Sequence, residues 1–280
     1  MTDDSSTDQT AAICRDWLNK NGSFFVRAQL LTSEKNQGIV ANTNKGLKEA
    51  QGEWIKDIAG DDSLKANCIE SNLAFIARNP EAEFIHTAVD YYSDEISDEH
   101  FLKCSNDRYG PLNNNYLDIN SQFHILLTQP HINASSVMIR RELIERAGYY
   151  DESIPMLEDW PMWFKLSSMG IRLYFSDAST VNYRFHAASE SRGKSSGYYH
   201  RHRFQIYQVY TKYLLPYLSP FHRFIIRYII SATHFAYNFF NNKRNIFSRG
   251  FHFLFIKPFE NIHESLNNKI ITKYDRDPQK

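Results

Sequence analysis

Apolar residues recur at two spacings in the first 60 residues of the chain. Helical spacing, with apolar side chains returning every three or four residues, marks Asp8–Asn19 and Ile39–Ala50. Short apolar and aromatic runs at Phe24–Leu31 and Trp54–Ile58 are typical of strands. The order helix, strand, helix, strand predicts α/β layering with parallel strands.

The same two patterns continue to about residue 185. They predict helices at Lys65–Arg78, Ser121–Thr128, Arg141–Ala147 and from Glu158 to Gly170, and strands at Glu83–Tyr91, Ser135–Ile139, Ile171–Phe175 and Thr180–Phe185. Residues 93–120 are polar and irregular, which predicts a long loop or a small insertion. Ligands of open α/β sheets bind beyond the carboxyl ends of the strands, so the residues that follow a strand are the first candidates for a site.

Two pairs of carboxylates stand at such places. Asp61 and Asp62 follow the predicted strand Trp54–Ile58, and Asp3 and Asp4 precede the first helix. Adjacent carboxylates repel each other unless a cation lies nearby, and Mg²⁺ and Mn²⁺ take oxygen ligands while keeping positions free for substrate phosphates. The first pair predicts a metal–diphosphate site, with a solvated acidic turn as the alternative. For the second pair the alternative is capping of the helix that follows.

The character of the chain changes near residue 192. Three helical segments, near 198–215, 220–240 and 245–256, are rich in aromatic and basic residues. From Arg192 to Lys257 there are 11 Lys and Arg and no Asp or Glu, which leaves 21 basic against 32 acidic residues elsewhere. This asymmetry favours contact with an anionic membrane surface, because aromatic and basic side chains suit a lipid interface. The alternatives are packing on the acidic remainder of the chain and nucleic-acid binding, for which no recognised motif is present.

Other features of the sequence limit the cellular compartments in which the protein is expected. The three cysteines (Cys14, Cys68 and Cys104) form neither a disulfide framework nor a zinc pattern, which fits a reducing environment. The first 20 residues are acidic and polar, which predicts no secretory signal. The longest apolar run, Phe221–Phe240, includes Arg223, Arg227 and His234 and is therefore poor for a membrane span.

An ordered set of short segments resembles the family 2 glycosyltransferases, which have a GT-A fold. The resemblance covers about residues 2–190. The segments are Asp4-Ser5-Ser6-Thr7-Asp8, Asn36-Gln37-Gly38, Asn44 to Ile55, Gly60-Asp61-Asp62, Glu158-Asp159 and Tyr183-Arg184-Phe185-His186. It implies an α/β, Rossmann-like mixed sheet flanked by helices, and a sugar transfer from a nucleotide-diphosphate sugar that depends on Mg²⁺ or Mn²⁺.

The resemblance implies a set of donor-binding residues. Asp4 would lie beside the nucleotide base, with Asp3 next to it. Asn44 would touch the nucleotide, although ordinary helix chemistry explains an asparagine there equally well. Arg184 falls where a contact to the diphosphate is expected.

The metal site is implied in the same way. Asp61 matches the later Asp of the family's D-x-D motif and would contact both the donor and the metal, with Asp62 and His186 as further metal ligands. Ala59 stands where the first Asp of the motif usually is, so one ribose or metal contact is missing, and Asp62 would compensate. For His186 a purely structural role is the alternative.

The catalytic base is implied to be Asp159, with Glu158 as its neighbour in the family's E-D motif. The alternative is a carboxylate that only favours the dipole of the helix it begins, worth about 0.3–1 kcal/mol. Trp160 and Trp163 could stack on a sugar ring, but packing in the aromatic core is the favoured interpretation.

One departure from the family concerns the start of the sequence. Family members begin with a strand and a helix before the first Asp pair, whereas here Met1 lies directly ahead of Asp3. A sheet without a central strand exposes edges and loses core. We therefore expect either a start farther upstream or an N-terminally truncated domain that binds nucleotide poorly.

These observations predict a GT-A-like domain over residues 1–191, incomplete at its N-terminus, and a helical, basic, aromatic-rich region over 192–280 at a membrane surface. The predicted function is inverting transfer from a nucleotide-sugar, with UDP as the expected nucleotide, to a saccharide or lipid-linked acceptor in surface polysaccharide or glycolipid synthesis. The expected location is the cytoplasmic face of the inner membrane. The alternative is a non-catalytic fragment or a membrane-associated partner subunit.

Overall fold

The computed structural model describes residues 1–105, 110–186 and 198–275. The strands are β1 (Thr2–Asp3), β2 (Leu31–Thr32), β3 (Trp54–Lys56), β4 (Ser63–Leu64), β5 (Phe84–Ser93), β6 (Phe101–Cys104), β7 (Val137–Arg140) and β8 (Tyr174–Phe185). The helices are α1 (Thr10–Asn21), α2 (Ile39–Glu49), α3 (Cys68–Arg78), α4 (Ile119–Leu126), α5 (Arg141–Ala147), α6 (Asp159–Ser168), α7 (Arg201–Val209), α8 (Pro220–Phe239), α9 (Ile246–Phe251) and α10 (Lys257–Tyr274).

A mixed six-stranded sheet forms the centre of the fold. The strand order is β3-β7-β5-β8-β4, and β6 pairs with the outer half of β5. The two long strands β5 and β8 run parallel, from Ile85 opposite Tyr174 to Ser93 opposite Phe185. The other pairs in this sheet are antiparallel. Strands β1 and β2 form a separate parallel pair. The predicted α/β architecture, a mixed sheet flanked by helices, is confirmed.

The prediction of parallel strands in the first 60 residues is wrong for β3. Trp54 lies opposite Arg140, so β3 is antiparallel to β7. The apolar pattern marks a strand and its buried face, but it does not encode the direction of the partner strand. The long strand expected at Phe24–Leu31 is also absent, since the chain there is a short 3₁₀ turn followed by extended backbone up to β2. Phe24 is 81% exposed, so no neighbouring strand covers it.

Three other boundaries differ from expectation. The two strands predicted at Ile171–Phe175 and Thr180–Phe185 are one strand, β8, whose pairing with β5 shifts register between Thr87 and Val89. The polar segment 93–120 contains β6. The helix α10 has no buried residue and therefore gave no apolar signal.

The main core lies between the sheet and the helices. Its central contact is the edge of Phe84 against Trp163, with ring centroids 4.9 Å apart, and both side chains are fully buried. Residues from the C-terminal region join this same core, among them Tyr210 and Leu214. Part of the basic region thus packs on the rest of the chain. The predicted boundary near residue 192 lies outside the described residues.

The helices that the structure describes include none that is both long enough and apolar enough to cross a bilayer. The twenty residues of α8 come nearest in length, but they carry two arginines and two histidines. The expectation from the apolar run Phe221–Phe240 agrees with this finding.

Candidate active site

An open cleft of about 1290 Å³ lies where the long central strands end. Its floor is the segment that follows β3, and Tyr91 of β5 and Tyr183 of β8 line it from the sheet. Five carboxylates from three separate segments line the cleft: Asp4, Asp57, Asp62, Glu158 and Asp159. The fold therefore brings together most of the acidic residues predicted for the site.

Asp3 ends β1, Asp4 follows it, and both carboxylates hold the first turn of the site. The Asp4 carboxylate accepts hydrogen bonds from the backbone N–H groups of Gln37 (2.9 Å) and Gly38 (2.7 Å). Gly38 has a φ of 92°, which a side chain would disfavour, and it precedes α2 directly. Asp3 is buried and accepts from the backbone of Ser6 at 3.2 Å. Neither carboxylate caps α1, so the capping alternative is wrong for that helix.

The segment after β3 meets the end of β8. The backbone N–H of Arg184 donates to Asp62 Oδ1 at 3.0 Å, and the Arg184 guanidinium donates to the backbone carbonyl of Asp61, also at 3.0 Å. Asp61 Oδ2 lies 3.1 Å from His186 Nε2. Burial, together with the charge of Asp61, raises the pKa of Asp62 to about 6. Four predicted site residues from distant parts of the chain thus form one cluster.

This cluster bears on the predicted Mg²⁺ or Mn²⁺ ion. The described part of the chain contains no group of three or more His, Cys, Asp or Glu side chains arranged to hold a metal. The 3.1 Å separation of Asp61 and His186 nevertheless matches the spacing of adjacent ligands around an octahedral ion, which is about 3 Å. Mg²⁺ commonly binds one or two carboxylates plus substrate phosphates. In the structure the same 3.1 Å distance is a hydrogen-bonded pair, so the metal site stays a prediction.

Glu158 and Asp159 stand at the beginning of α6. Asp159 Oδ1 accepts from the backbone N–H of Trp160 at 2.6 Å. Burial and the charge of Glu158 raise the pKa of Asp159 to about 7, and burial together with Asp57 raises the pKa of Glu158. A helix dipole alone would lower a carboxyl pKa by less than about one unit. Burial and the charge of Glu158 therefore outweigh the dipole here and raise the pKa of Asp159 above its ordinary value.

The two tryptophans of α6 belong to the core. Trp160 and Trp163 are 2% and 1% exposed. The Trp160 indole donates to the carbonyl of Leu126 at 2.7 Å, and its ring meets Tyr210 edge-on at 5.4 Å. This confirms the favoured interpretation that they pack rather than stack on a sugar. They also fix the turn that carries Asp159.

Asn44 faces away from the cleft. Its amide nitrogen donates to the carbonyl of Tyr150 and to Glu152, both at 2.9 Å, and its oxygen accepts from the N–H of Tyr150 at 3.0 Å. The side chain is buried, and it links α2 to the segment that precedes α6. The predicted nucleotide contact of Asn44 stays a prediction.

The family is decided by comparison with known sequences. The model of the family described as "Glycosyl transferase family 2" matches residues 1–148, more than half of the chain. The chain belongs to this family. Among curated relatives, an uncharacterised glycosyltransferase of Rickettsia prowazekii is 26% identical over 192 residues, covering 67% of this chain and 54% of that protein. The chain thus spans about half the length of such relatives.

Solved structures support the fold of this family 2 glycosyltransferase. Staphylococcus aureus TarS 1–349 in complex with UDP-GlcNAc matches with a TM-score of 0.57 at 17% identity, over 98% of this chain and 79% of that one. A mannosyltransferase of Pyrobaculum calidifontis, in complex with GDP-Man and Mn²⁺, matches with a TM-score of 0.50 at 17% identity, over 98% and 62%. The predicted GT-A fold is confirmed.

The cleft of this family 2 glycosyltransferase also contains residues that the sequence did not single out. Asp57 follows β3 directly and lines the floor, where the surrounding protein raises the pKa of its carboxyl. Asn42 of α2 lines the cleft, and its buried Oδ1 accepts no hydrogen bond from the described residues. Two positions along a helix differ by about 200° in direction, which places Asn42 and Asn44 on opposite sides of α2. An acid at the end of an apolar strand was the available signal for Asp57.

A further wall comes from the C-terminal region. His200, Arg201, His202, Phe204 and Gln205, which lie at or near the start of α7, line the cleft opposite the sheet. They add cationic and aromatic groups to an otherwise acidic site. The basic region therefore contributes to the cleft of this family member as well as to its core.

Proposed function

We propose that this chain is a metal-dependent, inverting glycosyltransferase. It moves a sugar from a nucleotide-diphosphate sugar, with UDP as the nucleotide, to a hydroxyl of a saccharide or lipid-linked acceptor. The observation that carries the proposal is the convergence of Asp4, Asp62 and Asp159 on one cleft, from three distant segments. A nucleotide, a diphosphate and an acceptor hydroxyl each have a candidate partner there.

The acceptor is activated by Asp159. Its carboxylate takes the proton of the acceptor hydroxyl while the hydroxyl oxygen attacks the anomeric carbon, and the bond from that carbon to the diphosphate oxygen breaks. The electron pair of the broken bond leaves with the diphosphate. A pKa of about 7 suits a general base that works near neutrality. Attack from the face opposite the leaving group inverts the anomeric centre.

The leaving group is held by the Asp61 cluster. Asp61, Asp62 and His186 would hold Mg²⁺ or Mn²⁺, which as a Lewis acid offsets the negative charge that the departing diphosphate gains. Arg184 adds a positive charge next to the same carboxylates. Asp4 keeps the turn at Gln37 and Gly38 in place beneath the nucleotide.

The neighbouring structures support the donor class. TarS is in complex with UDP-GlcNAc, and the mannosyltransferase is in complex with GDP-Man and Mn²⁺. Both donors are nucleotide-diphosphate sugars, which agrees with the acidic cleft and the metal-ligand pair. The basic, aromatic C-terminal region supports a peripheral position at the cytoplasmic face of a membrane, where a growing polysaccharide or glycolipid acceptor would be presented.

Nucleotide binding tests the proposal. UDP titrated into the purified chain by calorimetry should bind in the presence of MnCl₂ and weaken strongly without it. Transfer, followed as UDP release from a panel of UDP-sugars, should fall by about 10²–10⁴ in Asp159→Asn. Asp177→Asn, an exposed carboxylate of β8, is the matched control and should be unaffected. Absence of UDP binding with Mn²⁺ would instead favour a non-catalytic partner subunit.

A further inference from the structure

Three exposed phenylalanines and the half-buried Phe251 form a cluster in the C-terminal region. Phe235, Phe239, Phe251 and Phe255 belong to one chain of ring contacts, with centroids 5.4 Å apart for the first pair, 5.5 Å between Phe235 and Phe251, and 5.0 Å for the last pair. Phe239 is 70% exposed although it lies in this cluster. The ring contacts thus join the end of α8, α9 and the π-helical turn His252–Ile256.

Further exposed apolar side chains lie on α9 and in the turn that follows it. Ile246, Phe247, Phe253 and Leu254 are each more than half exposed. Large contiguous apolar patches on a protein surface mark contact sites for proteins or membranes. We call the exposed apolar side chains of this segment the aromatic face: Phe235, Phe239, Ile246, Phe247, Phe253, Leu254 and Phe255.

The charged residues within the segment that carries the aromatic face are all basic. Lys243, Arg244, Arg249 and Lys257 are exposed beside it, and no acidic residue occurs between Arg192 and Lys257. The next acid, Glu260, is bound by Arg203 and lies 3.5 Å from His252. A second copy of the chain would bring like charges together across a symmetric contact. An anionic lipid surface complements both the rings and the cations.

We propose that the aromatic face docks on an anionic bilayer, with its phenylalanines in the interfacial region and its cations at the headgroups. The end of α8, the short helix α9 and the turn after it suit a contact that lies on the membrane rather than spanning it. This identifies residues 235–255 as the membrane-contacting part of the C-terminal region. The first half of α8 and the turns before it pack in the protein core instead.

The docked surface is tied to the cleft through Asn242. This residue lies in the turn between α8 and α9, with a φ of 50°. Its carbonyl accepts from the N–H of Tyr198, its side-chain oxygen accepts from the N–H of Tyr199, and its amide donates to the carbonyl of Tyr199. His200 follows directly and lines the cleft. The bilayer contact and the acceptor side of the cleft are thus joined by one hydrogen-bonded turn.

This contact would give the chain a defined orientation on the membrane. A chain seated on its aromatic face would hold the wall at His200 close to the membrane, where a lipid-linked acceptor lies. This placement of the acceptor rests on the proposed function, whereas the membrane contact itself does not.

Vesicle flotation tests the contact. The full chain should float with phosphatidylcholine vesicles that contain phosphatidylglycerol, and much less with phosphatidylcholine alone or at high salt. The double variant Phe247→Ser/Phe253→Ser should lose flotation by at least about tenfold. The control Phe24→Ser/Phe25→Ser removes two exposed phenylalanines from the other end of the chain and should float normally. Equal losses in both variants would overturn the proposal.

A charge-reversal series gives a second measurement. Arg244→Glu and Arg249→Glu should each reduce partitioning by roughly fivefold or more, and Arg15→Glu in α1 should not. Asp159→Asn should float like the unaltered chain, which separates this proposal from the failure of the proposed function. A chain that forms dimers dispersed by Phe247→Ser/Phe253→Ser, with no vesicle binding, would show that the face contacts another copy and would contradict the proposal.

A fluorescence measurement tests whether the aromatic face inserts into the bilayer. Phe247→Trp should be quenched by brominated phosphatidylcholine mixed with phosphatidylglycerol, and Phe24→Trp should give no added quenching over the native tryptophans. Quenching that is equal in the two variants would rule out insertion of the aromatic face.

Discussion

Asn44 and Tyr150 exchange two hydrogen bonds between positions 106 residues apart. The Asn44 amide donates to the Tyr150 carbonyl at 2.9 Å and its oxygen accepts from the Tyr150 N–H at 3.0 Å. This pairing satisfies both backbone groups of a buried residue. It also fixes the segment that leads to Glu158 and Asp159 against α2. The two sides of the cleft are therefore held in a fixed position relative to each other.

Replacing Asn44 should therefore cost stability. Asn44→Ala leaves the buried N–H and carbonyl of Tyr150 unpaired, which should lower the free energy of unfolding by about 1–3 kcal/mol in urea denaturation. UDP binding by the folded fraction should change little. A large loss of UDP affinity with normal stability would instead support the nucleotide contact first predicted for Asn44.

For a substitution of Asn42, on the same helix, we expect the opposite effects on stability and UDP binding. Its Oδ1 lines the cleft without a hydrogen-bond partner among the described residues. Asn42→Ala should leave stability nearly unchanged and weaken UDP binding by roughly two- to tenfold, the loss of one neutral hydrogen bond. Calorimetric titration of UDP with Mn²⁺ compares the two variants directly. Unchanged affinity in Asn42→Ala would remove it from the donor site.

The contrast between Asn42 and Asn44 shows where sequence reasoning stops. Helical spacing identified α2 and its apolar side, but it could not say which of two polar sides faces a cleft and which faces a distant loop. The order of motifs did better, because it placed Asp61 with His186, which the structure brings to 3.1 Å across 125 residues. Strand direction failed at β3, since pairing partners are set by tertiary packing rather than by local pattern.

The C-terminal region also shows the limit of what the sequence pattern predicts. Apolar periodicity found α8, whose buried face includes Ile225 and Ile229. It missed α10, because a helix without a buried residue leaves no periodic apolar signal. The net charge of the region predicted an anionic partner, but only the fold divides the region into a part that packs inward and the aromatic face.

The proposed metal site predicts a dependence on His186. His186→Ala should weaken Mn²⁺ binding in the presence of UDP by at least about tenfold, because it removes one of the three proposed protein ligands. Electron paramagnetic resonance of free Mn²⁺ during titration measures this affinity. His234→Ala, an exposed histidine of α8, is the control. Normal Mn²⁺ affinity in His186→Ala would assign that histidine a structural role only.

The pH dependence of transfer should report Asp159. Its pKa of about 7 means that kcat/KM rises as pH increases through 7, because the base must lose its proton before it can accept one from the acceptor. Glu158→Gln removes a negative neighbour that favours the protonated form, so the midpoint should move to lower pH. Initial rates over a pH series measure the shift. A midpoint that stays in place, or moves upward, would show that Glu158 does not tune the base.

The turn at Asn242 should contribute to stability through its side chain. Asn242→Gly keeps the left-handed backbone but loses two hydrogen bonds to Tyr199, so the free energy of unfolding should fall by about 1–2 kcal/mol. Asn241→Gly at the adjacent position, with a φ of 49°, should be neutral or slightly stabilising. Thermal unfolding compares the two. Equal effects would mean that the backbone, and not the Asn242 side chain, joins the turn to the wall of the cleft.

Stability should also depend on pH through a buried pair of histidines. His222 Nε2 lies 2.8 Å from His263 Nδ1, and burial lowers the pKa of each to about 4. In the unfolded chain both should titrate near their ordinary value of about 6.5. Between these values the unfolded chain binds more protons, so the free energy of unfolding should fall as the pH drops from about 6.5 towards 4.

His222→Gln should flatten this slope, whereas His234→Gln, exposed on the same helix, should leave it unchanged. Urea denaturation at about pH 7 and about pH 5 measures the slope. The same slope in both variants would show that the buried pair does not govern the acid sensitivity of the fold.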